Sequence, residues 1–270
     1  MLNEKQIQRF YEDGFLVVED FVSEQSCKHI MDQAAGLIHD FQPADRPTIF
    51  TSDEQVRHSD QYFLSSGEKI HFFLEEEALD KAGNFTVDKM QSINKIGHGL
   101  HLLDPVYRDF VAGCNFPAIA RDLNVADPYL LQSMHIFKQP KIGGEVSLHQ
   151  DSSFLWTEPL SCVGFWIALE DATLENGCLQ ALKGGHHMAL KKRFHRNDKG
   201  GTSFEVLDDS PWPDQPLDVL EVKAGTLIIL HGALPHYSAA NRSDKSRQAF
   251  TIHVVDDACE YAKDNWLKRN

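Results

Sequence analysis

The chain has 270 residues, 42% of them hydrophobic and 24% charged, enough for a large core within one domain, alone or with a helical extension. A formal net charge of -14 repels nucleic acid and anionic membrane surfaces at long range, so neither is expected as a partner. No apolar run approaches the roughly 18 residues that a membrane span needs, and five cysteines without CxxC spacing point to reduced thiols in a cytosol-like compartment.

In chain order, Glu4–Asp13 reads as a short amphipathic helix stopped by Gly14, Phe15–Val18 as a strand, and Ser23 as the cap of a helix over Glu24–His39. The polar, proline-containing stretch Pro43–Asp60 reads as a loop. Ile70–Leu74 and Phe85–Val87 are expected to form a hairpin around Lys81–Asn84, with Glu75–Glu77 as solvated surface. Helices are expected over Asp104–Ala112 and Pro117–Leu123. From Tyr129 onwards short strands alternate with turns carrying Gly or Pro. They are Leu130–Phe137, Val146–Gln150, Val163–Leu169, Gly177–Ala181, Val219–Val222, Thr226–His231 and Arg247–Val255. Such punctuation argues for a sandwich or jelly roll. There is no internal repeat. Met1–Gln6 lacks the pattern of a signal peptide and the closing Lys-Arg-Asn is not the Ser-Lys-Leu peroxisomal address, so a cytoplasmic location is expected.

Two features carry chemistry. The first is His149-Gln150-Asp151. Side chains two apart on a strand point the same way, roughly 6 to 7 Å apart at the backbone, so His149 and Asp151 can converge on one cation. With a second histidine they form a two-His, one-carboxylate set, which leaves one side of an octahedral ion open and suits oxygen-activating non-haem Fe(II). A closed structural zinc site would want a fourth protein ligand, usually with thiolates. His231 and His236 both follow the apolar run Leu227–Leu230; His231 continues that strand, whereas His236, after the Pro235 turn and before Ser238, is the better placed ligand.

The second feature is Arg247, at the start of an alternating strand. Arg247, Ala249 and Thr251 share one face, and Phe250, Ile252 and Val254 share the other. An arginine on the roomy face is costly to bury alone, and a carboxylate gripped by its fork supplies the partner. Parity also divides Cys162–Glu170. Val163, Phe165, Ile167 and Leu169 make a bulky face, while Cys162, Gly164, Trp166 and Ala168 leave room for a cavity. Lys191–Arg196 concentrates four cations and reads as a solvated loop, with reception of an anionic substrate as the functional alternative.

These residues, together with Asp13–Val18, Tyr62–Ile70, Ser92–His98, Gln132–Pro140, Gly143–Ser147, Glu170–Leu179 and Ser246–Thr251, give the chain a resemblance to the phytanoyl-CoA dioxygenase family that runs nearly end to end. The resemblance implies an Fe(II)- and 2-oxoglutarate-dependent dioxygenase. Its fold would be a mainly β double-stranded β-helix with N-terminal helices packed on one sheet. One domain is expected over residues 1–270, helical over about 1–125 and jelly roll over about 126–256. The family pattern places an arginine eleven residues after the distal histidine, which selects His236 with Arg247. By the same resemblance His149, Asp151 and His236 would hold the metal. Ser238 and Arg247 would hold the far carboxylate of 2-oxoglutarate, and Lys95, Met134, Gln150 and Trp166 would complete the co-substrate site. O₂ is the second co-substrate, and 2-oxoglutarate would leave as succinate and CO₂ while a small-molecule substrate is hydroxylated. Related halogenases lack the carboxylate, so Asp151 argues for hydroxylation. Two other readings share these ligands. One is a jelly roll that binds metal and 2-oxoglutarate without turnover; the other is a metal-assisted hydrolase, for which Arg247 and Ser238 would be superfluous. Neither the substrate nor the oligomeric state is legible.

Overall fold

The computed structural model describes residues 1–42 and 61–269, so the loop expected over Pro43–Asp60 lies outside the described residues. The first helix, Glu4–Asp13, starts at Asn3, which accepts from Gln6 N at 3.0 Å while the Gln6 side chain accepts from Asn3 N at 2.9 Å. That reciprocal pair satisfies two donors a helix start leaves open. Ser23 caps the second helix, Glu24–Asp40, by accepting from Ser26 N. Two further helices span Pro105–Cys114 and Phe116–Asp122.

The early strands are β1 (Phe15–Val18), β2 (Ile70–Leu74), β3 (Ile93–His98), β4 (Pro128–Lys138), β5 (Val146–His149), β6 (Thr157–Glu158) and β7 (Val163–Ala168). They are followed by β8 (Leu179–Ala181), β9 (Lys192–Arg196), β10 (Thr202–Val206), β11 (Asp218–Leu220) and β12 (Leu227–His231). The last are β13 (His236–Ser238), β14 (Arg247–Asp256) and β15 (Glu260–Tyr261). A seven-stranded sheet runs β1-β12-β7-β14-β4-β3-β2, and a four-stranded sheet runs β11-β8-β13-β5. This is the expected jelly roll.

Parity explains how the layers stack. Phe250, Ile252 and Val254 of β14 join Phe165 and Ile167 of β7 against Ile30, Ala34, Tyr107 and Phe116 of the helices. Burying each large apolar side chain contributes roughly 1.5 to 3 kcal/mol. A register slip of one residue would turn that whole set inward, which is why the register is firm. On the other face Ala249, Trp166 and Ala168 meet Leu179 and Ala181 of the smaller sheet. Small side chains between the sheets leave the space in which the site lies.

Four expectations change. Ile70–Leu74 pairs with β3, not with Phe85–Val87; Phe85 instead bridges Leu79. Asp80 Oδ1 accepts from Ala82 N and Asn84 N, both at 2.8 Å, so that loop closes on itself. β3, buried at every residue, offers β2 a far better partner. The N-terminal portion therefore supplies three strands to the large sheet besides its helices. Lys191–Arg196 is not a solvated loop, because Lys192–Arg196 is β9, hairpinned with β10. Lys191 Nζ meets Asp208 and Ser210, Arg193 pairs with Asp264, and Arg196 donates to the carbonyls of Leu64 and Trp266. Glu75, finally, is buried: its Oε2 accepts from Asn94 Nδ2 and Gly144 N, each at 3.0 Å, and pins the loop leading into β5. Burial pushes its carboxyl above the usual range.

The helix-facing and peripheral histidines set an acid limit. Burial pulls His101, His135 and His231 down to about 4. Their unfolded value is about 6.5. The folded pKa is the lower one, so as pH falls below 6.5 the unfolded chain takes up protons first. Stability present above that pH is then lost progressively down to about 4, at up to roughly 1.4 kcal/mol per pH unit for each histidine. Urea midpoints should drop steadily from pH 6.5 to 4; a flat profile there would show these rings are protonated in the fold.

Candidate active site

His149 closes β5 and His236 opens β13, and the antiparallel pairing sets them opposite each other with ring centroids 4.2 Å apart. After His149, Gln150 stays extended and the chain turns. Asp151 begins a 3-10 turn, its carbonyl accepting from Phe154 N at 2.9 Å and Leu155 N at 3.1 Å. Nε2 of His149 and Nε2 of His236 lie 3.6 and 3.8 Å from Asp151 Oδ1. The three ligand atoms fall within 4.8 Å of one another, and among the described residues no other such group of three forms.

Hydrogen bonds fix which nitrogen each ring presents. Nδ1 of His149 donates to the Ser147 carbonyl at 2.8 Å, and Nδ1 of His236 to the Leu234 carbonyl at 3.0 Å. A carbonyl only accepts, so both Nδ1 atoms carry the proton and both Nε2 lone pairs face Asp151. Burial opposes ionisation of Asp151, but the imidazoles of His253, His236 and His149 around it outweigh that and hold its carboxyl well below the usual range. Two neutral imidazoles and one carboxylate are a donor set for a divalent metal with open positions.

Beside the triad lies a cavity of about 100 Å³, bordered also by Met134, Trp166, Ser238, Arg247 and Thr251. Arg247 is only 2% exposed. Its Nη2 donates to the Gly177 carbonyl at 3.1 Å and to Ser238 Oγ at 3.2 Å, and its guanidinium carbon sits 5.5 Å from the Trp166 ring centre. Gly177 has φ +83, and a Cβ there would stand 2.6 Å from the Ala239 carbonyl; only glycine lets this carbonyl come so close. Arg247 Nε and Nη1 and Thr251 Oγ1 are buried without a hydrogen-bond partner among the described residues. Burial lowers Arg247 to about 10, so it remains a cation at neutral pH. A buried cation with two unanswered donors beside a triad that could hold a metal is able to receive a small anion. A second chamber of about 210 Å³ shares His149, Asp151, Met134 and His253, and is walled by Phe63, Phe154, Phe204 and Trp266.

Residues 10–249 match the family model described as phytanoyl-CoA dioxygenase (PhyH). The chain belongs to the phytanoyl-CoA dioxygenase family. An Arabidopsis thaliana phytanoyl-CoA dioxygenase is 45% identical over 272 residues, covering 99% of this chain and 94% of the relative. The Bos taurus phytanoyl-CoA dioxygenase domain-containing protein 1 is 45% identical over 278 residues, covering 99% and 95%. Among solved structures, EctD from S. alaskensis with 2-oxoglutarate and 5-hydroxyectoine has a TM-score of 0.70 at 20% identity, covering 100% of this chain and 84% of that one. The carbocyclase SnoK, described as non-heme and alpha ketoglutarate dependent, has a TM-score of 0.63 at 21% identity, covering 96% and 86%. As a phytanoyl-CoA dioxygenase family member, the chain is an iron- and 2-oxoglutarate-dependent dioxygenase by class.

Within this family member the structure brings together most of the residues singled out from sequence. His149, Asp151, His236, Met134, Trp166, Ser238 and Arg247 border one cavity. Lys95, on β3, lines the larger chamber, which shares Met134, His149 and Asp151 with this cavity. Gln150 points away, its Nε2 donating to the carbonyls of Ala233 and Ala189 while Oε1 accepts from Lys191 N. The period of two that unites His149 with Asp151 turns the residue between them outward. His231 stays at the end of β12, where Nδ1 accepts from Ala233 N, as a structural histidine.

One residue escaped the sequence reading. His253 places Nε2 3.1 Å from Asp151 Oδ2 and lines both chambers. Its signal was parity, since it follows Arg247, Ala249 and Thr251 on the same face of β14. The aromatic wall had no such signal, being gathered from four separate segments.

Proposed function

We propose that this protein is an Fe(II)- and 2-oxoglutarate-dependent hydroxylase of a small molecule. The observation that carries the reading is a carboxylate–bis-histidine triad and a buried, part-unpartnered guanidinium bordering one cavity. When bound, iron supplies the redox chemistry that couples conversion of 2-oxoglutarate and O₂ to succinate and CO₂ with oxidation of a substrate C–H bond. The chain's own residues hold, orient and enclose. His149, Asp151 and His236 would hold the metal, three protein ligands that leave it free to take exchangeable partners. Arg247, with Ser238 beside it, grips the far carboxylate of 2-oxoglutarate and sets its direction; Thr251 Oγ1 offers a further polar contact. Asp151 fills the position that related halogenases leave for halide.

The larger chamber is the place for the primary substrate, because it shares His149 and Asp151 with the co-substrate cavity. Its aromatic wall suits an apolar body, and Lys95 and Lys192 on its lining suit an anionic group. Membership of the family does not make phytanoyl-CoA that substrate. The deciding experiment is to reconstitute the protein anaerobically with Fe(II) and 2-oxoglutarate, add a metabolite extract, and admit O₂. Compounds that gain one oxygen in step with succinate are expected. No succinate at all would leave a binding protein without turnover, and the proposal would fall.

A further inference from the structure

The two oxygens of Asp151 meet different surroundings. Oδ1 faces Nε2 of His149 and His236, whereas Oδ2 lies 3.1 Å from Nε2 of His253. His253 sits on β14, with Gln132 of β4 as its cross-strand neighbour on one side and Gly164 of β7 on the other. Gln132 Nε2 stands 3.2 Å from His253 Nδ1. The amide donates to Nδ1, which leaves the ring proton on Nε2, directed at Asp151 Oδ2. Gly164 completes the row by what it lacks: a Cβ there would stand 3.0 Å from Asp151 Oδ2 and 3.5 Å from His253 Nε2. Three adjacent strands of the large sheet therefore form a cradle for a single oxygen of a carboxylate that reaches across from the smaller sheet.

We propose that His253 is a positioning residue that makes Asp151 a one-oxygen metal ligand, with Gln132 orienting it and Gly164 admitting it. This rests on the reading of His149, Asp151 and His236 as metal ligands. A carboxylate can offer a metal one oxygen or two. The His253 hydrogen bond engages Oδ2, so Oδ1 alone is presented to the centre. A second bound oxygen would occupy a coordination position that 2-oxoglutarate or O₂ requires. The ring also fixes the carboxylate's rotation, as groups bonded to ligands do in metal sites generally.

Co(II) is the probe, because its visible spectrum reports coordination number without turnover. The purified apo protein, its His253→Leu, His253→Gln and Gly164→Ala variants and a His149→Ala control are titrated with Co(II), and circular dichroism checks each fold. Glutamine places an amide N–H near the former Nε2, so His253→Gln should share the parent's spectrum and bind Co(II) within a few-fold of it. His253→Leu should change the spectrum and weaken Co(II) binding by about 10- to 100-fold. Gly164→Ala keeps the ring yet crowds Oδ2; it should alter the spectrum too, and it decides the matter if the leucine variant does not fold. Parent-like spectrum and affinity in His253→Leu would overturn the proposal, as would a glutamine variant that behaves like the leucine one. If Co(II) binding by the parent is untouched in His149→Ala, the metal reading itself fails, and this inference fails with it.

Discussion

Replacing Arg247 with methionine is expected to abolish 2-oxoglutarate binding while leaving the ligand-free fold as stable as the parent or more so. The two effects have opposite signs for one reason. Arg247 is 2% exposed and its Nε and Nη1 have no partner among the described residues, so in the ligand-free protein the charge is buried without full compensation. Apolar residues of similar volume often equal or improve on buried charge in stability. On the proposed assignment ligand binding would reverse the balance, because a carboxylate can answer both donors at once. Lysine keeps the charge but not the fork, and losing one charge-assisted bond of roughly 1.5 to 3 kcal/mol should raise the 2-oxoglutarate Kd by about ten- to a hundredfold. Anaerobic titration calorimetry on the metal-loaded variants, with thermal melts on the metal-free ones, checks both halves. A lysine variant that binds 2-oxoglutarate like the parent would remove Arg247 from the co-substrate site.

Asp151→Ala is expected to end O₂-dependent succinate formation and to weaken metal binding by more than the roughly 10- to 100-fold that changes to ligand-supporting residues cost. The carboxylate is the only anion of the triad, and the imidazoles around it hold it well below the usual carboxylate range. Alanine leaves two imidazoles that still face one another across β5 and β13, but no charge to hold a divalent ion between them. His253 would also lose its acceptor at 3.1 Å. Metal titration followed by succinate assay measures both. Unchanged succinate yield would show that the chemistry lies elsewhere in the molecule.

Much of the site was legible because its signals are local. The His-x-Asp spacing and the parity of β14 and β7 need only the period of a strand, and that period placed Arg247, Thr251, Trp166 and Gly164 on one face. The same arithmetic would have reached His253, and would have turned Gln150 away between its two neighbours. The choice of His236 over His231 drew on family spacing, and its pairing opposite His149, with Nδ1 held by the Leu234 carbonyl, gives it a physical reason. Charge runs of both signs misled in the same way. Glu75 and Lys191 look like solvated surface in sequence, yet each meets its hydrogen-bond partners only after the chain returns, from Asn94 and Gly144 for the one and from Asp208 and Ser210 for the other.

Local periodicity, caps and turn residues were enough to determine most strands of the jelly roll, the helices before it, and which side chains share a face, because those depend on neighbours a few positions apart. Partnership was decided by the tertiary structure. That β2 pairs with β3, that Lys95 faces the larger chamber, that Phe63, Phe154, Phe204 and Trp266 meet on one wall, and that Asp151 crosses to Gly164 and His253 all depend on contacts between distant segments. Such contacts are selected by the burial each offers against every competing partner, a comparison that exists only once the whole chain is packed.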